Sequence, residues 1–269
     1  MKNHVISRAL VAFGVSAALT SFANASITSI WRWDSASGSL ATTLTQYSGI
    51  ATLATGSGTG TTAAISPNIN NNQYRYAFGD FTQSQTTAGY IYLTNLDGGG
   101  NNMVSITRYL AKSTDALGNF RTNTGGTTFN FSQNWSKNDD VYNDGTYFYR
   151  NGSSSSGSNG ATRYASFSDL MGNTNGTYFS FNTTYGFNDR FFGFEGKIYR
   201  TNTGGPGGSV NGFAVYNSFS ALTIGTVAST TNTSSGVNWS QGDMFIAVPT
   251  PGAMALVGLA GLVSRRRKA

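Results

Sequence analysis

Residues 90–110 of the chain read YIYLTNLDGGGNNMVSITRYL. Val104, Ile106, Arg108 and Leu110 alternate with Ser105, Thr107 and Tyr109, which is the period-two spacing of a β-strand. The preceding residues 90–96 are rich in Tyr, Ile, Leu and Thr, types that favour strands. Between the two runs, the pair at 97–98 is Asp-Gly, which accepts the positive φ values of a tight hairpin. The stretch therefore predicts two strands joined by a turn.

Comparable strand-like runs recur along most of the chain. They lie at residues 29–33, 74–79, 127–131, 146–150, 177–181, 213–219, 222–227 and 244–248. At most one helical turn is predicted, near residues 166–171. Many short strands with frequent Asn-Gly and Asp-Gly pairs predict an all-β fold, a single β-sandwich or jelly-roll-like domain. Short echoes such as RTNTGG, at residues 121 and 200, have unequal spacings and do not define a repeat period.

The N-terminal residues 1–25 have the layout of a secretory signal peptide. Lys2 and Arg8 precede and flank an apolar run at 9–19, and Ala23-Asn24-Ala25 offers small side chains before a cleavage site. The run is shorter than the ~20 residues that a bilayer span needs. Signal peptidase is therefore expected to cut between Ala25 and Ser26.

The C-terminal residues 248–269 also have three parts. VPTP at 248–251 is followed by an apolar run at 252–263 and then by a cationic cluster, Arg265, Arg266, Arg267 and Lys268. An apolar run that ends in cations stops translocation and leaves the cations in the cytoplasm. Because the run is short for a membrane span, this pattern predicts a temporary transmembrane helix.

This C-terminal layout resembles the PEP-CTERM sorting domain, with Thr250 where that family usually has Glu. The resemblance covers residues 248–268 and implies export, processing by an exosortase-like protease around Pro249, Thr250 and Pro251, and a host that makes exopolysaccharide. It also implies a body, residues 26–247, that is secreted or held at the cell surface after transient anchoring in the inner membrane. The resemblance implies no catalytic activity for this body.

Composition excludes several classes of function. The net charge is +6, but six of the seventeen Lys and Arg lie in the two terminal segments, which leaves eleven against eleven Asp and Glu. Nucleic-acid binding, which depends on clustered cations, is therefore not expected. The chain has no Cys, and its one His, His4, lies in the signal peptide. This excludes Ser-His-Asp and Cys-His catalysis in the body, and we expect no enzyme.

The densest acidic cluster comprises Asp139, Asp140, Asn143 and Asp144, followed by Gly145. Oxygen ligands in a tight loop are what Ca²⁺ prefers, so the cluster is a candidate calcium site, and no other cofactor is expected. The spacing does not match an EF-hand loop. The alternative is a solvated hairpin loop.

Trp135 and Trp239, each preceded by Asn and followed by Ser, are candidates for stacking on sugar rings; the alternative is ordinary core packing. A glycoside-active enzyme is the least favoured hypothesis, because Glu195 is the only glutamate and nothing in the sequence pairs it with an aspartate across a cleft. We expect a structural or adhesive protein of the surface or extracellular matrix, associated with exopolysaccharide. The alternative is a lectin-like carbohydrate-binding module.

Overall fold

The computed structural model describes residues 27–33, 41–69, 74–80, 89–111, 117–154, 157–186, 189–194, 196–203, 210–235, 237, 239 and 243–249. Within them lie sixteen strands and four helices of five or six residues. The strands are β1 Ile27–Trp33, β2 Ala41–Tyr47, β3 Thr62–Ile69, β4 Tyr74–Asp80, β5 Tyr90–Leu96, β6 Asn102–Leu110, β7 Thr127–Ser136, β8 Asp140–Asn143, β9 Phe148–Ser154, β10 Gly157–Tyr164, β11 Thr177–Tyr185, β12 Phe191–Phe194, β13 Lys197–Thr203, β14 Val210–Tyr216, β15 Ser229–Asn232 and β16 Met244–Pro249. The helices are α1 Ile50–Thr55, α2 Gly118–Thr122, α3 Phe167–Gly172 and α4 Phe219–Ile224.

The strands form four antiparallel sheets of four strands each, ordered β16-β1-β2-β3, β4-β5-β6-β7, β8-β9-β10-β11 and β12-β13-β14-β15. The first strand of each sheet packs beside the first strands of the neighbouring sheets around a common axis. The fold is therefore a four-bladed β-propeller, in which we number the blades 1 to 4 in the order given. The chain is mostly β, but the predicted single β-sandwich or jelly roll is wrong.

The ring closes with strands from both ends of the described chain. The innermost strand of blade 1, β16, pairs with β1 from Trp33↔Met244 to Ile27↔Pro249. The other three strands of that blade come from the N-terminal part. Because β16 completes blade 1, the four blades form a closed ring, an arrangement in which only short, protected sheet edges remain. It also explains why pattern alone did not give the fold, because the pairing is non-local.

Each blade repeats one local unit, a helix between its third and fourth strands. A buried Tyr lies at or next to the end of the third strand in every blade: Tyr47, Tyr109, Tyr164 and Tyr216. Each helix ends at a residue with positive φ, namely Gly56, Asn123, Asn173 and Gly225, the usual helix C-cap. Each helix then packs on the outermost strand of the preceding blade.

The RTNTGG echo does not reflect this repeat. Arg121 lies in α2, whereas Arg200 lies in the second strand of blade 4. The two segments occupy different positions in their blades, so their similar sequences reflect the biased composition of the chain and not a structural repeat.

Both faces of each blade pack against other blades, so the core is divided among the interfaces between blades. Phe78, Ile106 and Phe148 belong to the cluster between blades 2 and 3. Tyr149 and Phe219 belong to the cluster between blades 3 and 4. The two interfaces of blade 1 share the third and largest cluster. This packing accounts for aromatic side chains on both faces of the strands, where a half-buried sheet would show them on one.

In three blades an arginine of the second strand forms an ion pair with a buried aspartate that lies one or two residues before the innermost strand. The pairs are Arg32–Asp243, Arg150–Asp139 and Arg200–Asp189, with closest N–O distances of 2.6, 2.6 and 2.7 Å. In blade 2 the position that matches these arginines is Leu93, which pairs with Ala77. The pair is therefore a feature of the blade, absent from one copy among the described residues.

The axis of the propeller is filled by side chains. A cavity of about 10 Å³ remains there, lined by residues that include Ala77, Val141, Phe191 and Met244 from the four innermost strands. That is room for at most one water molecule. Larger propellers have an open central channel, whereas among the residues described here the four innermost strands leave only this small cavity between them.

Candidate functional site: a cleft between blades 3 and 4

A cleft with a volume of about 340 Å³ lies in the groove between blades 3 and 4. Blade 3 lines it with Asp144, Thr146, Tyr147, Tyr149, Arg163 and Phe179, and blade 4 lines it with Gly196, Ser218, Phe219, Ser220 and Thr223. Clefts of this size are typical of small-ligand sites. We call it the 3/4 cleft.

An arginine on one face of blade 3 organises the 3/4 cleft. Arg163 lies on β10, and its guanidinium carbon is 4.6 Å from the centre of the Tyr147 ring and 4.9 Å from that of Phe179. Strand alternation brings the three together, since Arg163 pairs with Tyr149 on one side and Thr177 on the other. The result is a cation held between two half-buried aromatic rings.

The opposite wall is the start of α4. Ser218 caps this helix by accepting a hydrogen bond from the Ala221 N–H at 3.1 Å. The first helical residue, Phe219, then points into blade 3, where its ring stacks on Tyr149 with centroids 4.4 Å apart. The same ring meets the edge of Phe179 at 5.1 Å. These contacts fix the width of the cleft and leave Ser220 exposed at its rim.

Asp144 forms the floor and is fully engaged by the protein. Its Oδ1 accepts from the N–H groups of Thr146 and Tyr147, both at 2.9 Å, and its Oδ2 accepts from the Tyr149 hydroxyl at 2.7 Å. Burial, together with the neighbouring Asp144 carboxylate, raises the pKa of Tyr149 well above its usual value. Tyr149 therefore remains a proton donor to Asp144 at physiological pH.

Several polar groups of the 3/4 cleft have no partner within the described part of the protein. The hydroxyls of Thr146, Tyr147 and Ser220 make no hydrogen bond there, and neither does the guanidinium of Arg163. No carboxylate of the described residues lies within ion-pair distance of Arg163. The cleft thus presents free donors and acceptors beside aromatic faces.

Blade 2 carries the same set of side chains around Arg108. This guanidinium lies 4.5 Å from the ring centre of Tyr90, 4.9 Å from Phe129 and 5.5 Å from Phe167, the first residue of α3. Nearby, the Tyr92 hydroxyl donates a hydrogen bond to Asp80 at 3.4 Å. In blades 1 and 4 the matching positions, just before Tyr47 and Tyr216, are Gln46 and Val215. The arginine–aromatic set is therefore limited to two of the four blades.

Sequence reasoning missed the residues of the 3/4 cleft. A signal was present, because Thr-Arg-Tyr occurs at 107–109 and at 162–164, and Thr-x-Phe-x-Phe follows at 127–131 and at 177–181. The order of these motifs, helix included, is the same in blades 2 and 3. The number of residues between the two motifs differs in the two blades, so the repeat has no constant period in the sequence.

The four candidate calcium ligands do not form one loop. β8 runs between them, so Asp139 and Asp140 lie at its start and Asn143 and Asp144 at its end, about 10 Å apart for a strand of this length. Asp139 pairs with Arg150, and Asp140 lies 3.6 Å from Arg190. Asn143 accepts from the Gly145 N–H. Among the described residues no group of three or more His, Cys, Asp or Glu is placed to hold a metal ion.

Both candidate sugar-stacking tryptophans lie in the core. Trp135 is 1% exposed and packs on Phe131, under the guanidinium of Arg150. Trp239 is 8% exposed, donates its indole N–H to the Leu53 carbonyl at 3.1 Å and is covered by Arg32. Neither ring face is open to a sugar, so core packing is the role that this geometry supports.

The predicted processing residues lie almost entirely outside the described part of the chain. Ala25, Ser26, Thr250, Pro251 and the cluster at 265–268 fall outside it, as does Glu195, and Pro249 is the last residue of β16. No helix of the described residues is long and apolar enough to cross a membrane. The apolar run at 252–263 is not among them.

A comparison with protein-family models gives no match, and a comparison with curated proteins gives none either.

Proposed function

We propose that this chain is an exported adhesive protein of a bacterial surface or extracellular matrix, and that its propeller binds polysaccharide in the 3/4 cleft. The observation that carries the proposal is the cleft itself, where hydroxyls and a guanidinium that have no partner among the described residues adjoin aromatic rings. Sugars bind by apolar contact of their C–H faces with aromatic rings and by hydrogen bonds from their hydroxyls. The cleft offers both kinds of contact in one place.

Binding, rather than hydrolysis, is the activity that the lining favours. Glycoside hydrolysis ordinarily needs two carboxyl groups on either side of the scissile bond. Asp144 is the one carboxylate that lines the 3/4 cleft among the described residues, and three hydrogen bonds engage it. Within the part of the chain that the structure describes, the lining therefore offers no second carboxyl group for this chemistry.

Export and sorting rest on the two terminal segments. The signal peptide and the resemblance to PEP-CTERM proteins support a mature protein that starts near Ser26 and loses its cationic end. A cut after Pro249 would also leave β16 whole, and with it the closed ring. Intact-mass measurement on protein from the native cell surface tests this, and a mass that still includes residues 265–268 would rule it out.

A glycan array followed by calorimetric titration of its best ligand tests the binding role. We expect the Kd to rise about tenfold or more for Tyr147→Ala, since a stacking ring is lost. The matched control is Tyr90→Ala, which removes the equivalent ring beside Arg108 in blade 2. If no glycan binds, the glycan-binding role is wrong and a purely structural matrix protein takes its place. If Tyr147→Ala binds like the parent, the 3/4 cleft is not the binding site.

A further inference from the structure

The contacts of Arg163 differ from those of other arginines and indicate which class of sugar the cleft would bind. Arg32, Arg150, Arg190 and Arg200 each face an aspartate in the described structure. Arg163 instead contacts rings only, through the Tyr147 and Phe179 faces, and donates no hydrogen bond within the described residues. Its N–H groups are thus free to meet a ligand in the 3/4 cleft.

A half-buried cation without a counter-ion is costly, because it loses hydration and gains no partner. The two flanking rings offset part of this cost by cation–π contact, but they leave the edge of the guanidinium without acceptors. A carboxylate is the group that matches this edge, since it accepts two parallel N–H bonds from one guanidinium. The cost would then be offset by the ligand.

Asp144 does not serve as that counter-ion. It is beyond ion-pair distance of Arg163, and both of its oxygens are held by the Thr146 and Tyr147 N–H groups and the Tyr149 hydroxyl. Its charge is therefore stabilised on the floor of the cleft by donors other than Arg163. An anionic ligand group at the edge of the Arg163 guanidinium can therefore accept hydrogen bonds from N–H groups that do not bond to Asp144.

Resting on the proposed glycan-binding role, we infer that the 3/4 cleft selects an acidic polysaccharide and binds the carboxylate of a uronic acid residue through Arg163. The sugar ring lies beside Tyr147 and Phe179, and the free hydroxyls of Thr146 and Ser220 meet the sugar hydroxyls. Binding weakens with added salt, because one ion pair is made at a solvent-open site.

The test uses the full chain, recovered from the periplasm of an expression host, and a pair of probes that differ in one group. The probes are a tetragalacturonate and the same oligosaccharide with its carboxyl groups reduced to alcohols. We expect the parent to bind the acidic probe about tenfold or more tightly than the reduced one, as befits a charge-assisted bidentate contact. Arg163→Gln should abolish this preference, and Arg163→Lys should restore only part of it.

The matched control is Arg108→Gln, which removes the same cation from equivalent rings in blade 2 and should leave the preference for the acidic probe unchanged. Melting curves of each variant show whether it folds; if Arg163→Gln does not, the ratio of the two probes on the parent and on Arg163→Lys still decides. If the parent binds both probes equally and Tyr147→Ala binds neither, the selectivity for acidic sugars is wrong, but the 3/4 cleft remains the glycan-binding site. Absence of binding to either probe and to the array overturns both.

Discussion

Ile27, the first residue of β1, pairs with Pro249, the last residue of β16, so the two ends of the described chain lie on neighbouring strands. This pairing completes blade 1 and closes the ring. It also places the start of β1 and the end of β16 beside each other in the same blade. Signal-peptide cleavage and C-terminal sorting, as proposed above, would therefore act close to each other on the folded protein.

The closing strand should decide whether the propeller folds. β16 buries Met244, Phe245, Ile246, Ala247 and Val248. Burial of a large apolar side chain contributes about 1.5–3 kcal/mol, so their sum is comparable with the ~5–15 kcal/mol that stabilises a domain. We expect a chain that ends at residue 242 to show no cooperative thermal unfolding by circular dichroism. A chain that ends at Pro249 is the control and should melt like the full chain; similar melts for all three would contradict ring closure by β16.

The buried ion pair of blade 1 should be more important for stability than its equivalent in blade 3. Arg32 and Asp243 are 9% and 0% exposed at their side chains, whereas Arg150, the partner of Asp139, is 24% exposed. Removal of one partner of a buried pair leaves an uncompensated charge and costs about 3–5 kcal/mol. In urea unfolding we expect Asp243→Asn to lose about this much and Asp139→Asn to lose distinctly less, because Arg150 can regain water. The reverse order would contradict the account.

Asp80 should make stability depend on pH. Burial raises the pKa of its carboxyl, although the Tyr92 hydroxyl, 3.4 Å away, opposes the shift. With a folded pKa above the unfolded one, the native state binds more protons in that window. Stability therefore falls as the pH rises from about 3.8 through the raised pKa.

We expect Asp80→Asn to remove this fall and to be more stable than the parent above the window. Asp144→Asn, at the equivalent place in blade 3, should be less stable than the parent, since it weakens three hydrogen bonds. Urea unfolding at a series of pH values measures both. A parent and an Asp80→Asn variant with parallel pH profiles would show that this carboxyl does not titrate as described.

Close approach of the innermost strands should make one glycine irreplaceable. A Cβ on Gly193 of β12 would lie 2.2 Å from the backbone oxygen of Asn143 in β8. Gly193→Ala must therefore push two blades apart, and we expect it to lower the free energy of unfolding by several kcal/mol, as about 1–3 kcal/mol or more is usual for overpacking. Gly152→Ala, where nothing lies within 4 Å, is the control and should be neutral or slightly stabilising. Equal melting temperatures for the two variants would contradict the packing at the axis.

Local structure was largely predictable from sequence. The predicted strand at 90–96 coincides with β5, and the helical turn near 166–171 is present as α3. The prediction of at most one helical turn is wrong, because α1, α2 and α4 are also present. Two kinds of signal were misleading. The run at 222–227 was predicted as a strand, but its first half is the end of α4, because a short apolar run does not distinguish strand from helix. Asn211-Gly212 is one of the Asn-Gly pairs whose type predicts a tight turn, but it lies within β14.

Glycine at 212 has a packing role in place of a turn. A Cβ there would lie 2.8 Å from the Thr231 carbonyl of the neighbouring strand, so the residue permits close pairing of β14 with β15. Ring closure and the 3/4 cleft were not predictable in the same way. Both depend on contacts between residues far apart in the chain, such as Ile27 with Pro249 and Tyr149 with Phe219.

The most direct test of the central claim, a propeller that binds acidic polysaccharide between blades 3 and 4, is a hydrogen–deuterium exchange footprint. Amide exchange is compared with and without saturating tetragalacturonate. The account predicts protection in peptides that cover residues 144–149 and 218–223, the two walls of the 3/4 cleft, with little change in peptides that cover the equivalent groove around Arg108. Protection confined to other blades, or no protection anywhere under conditions of measured binding, would contradict it.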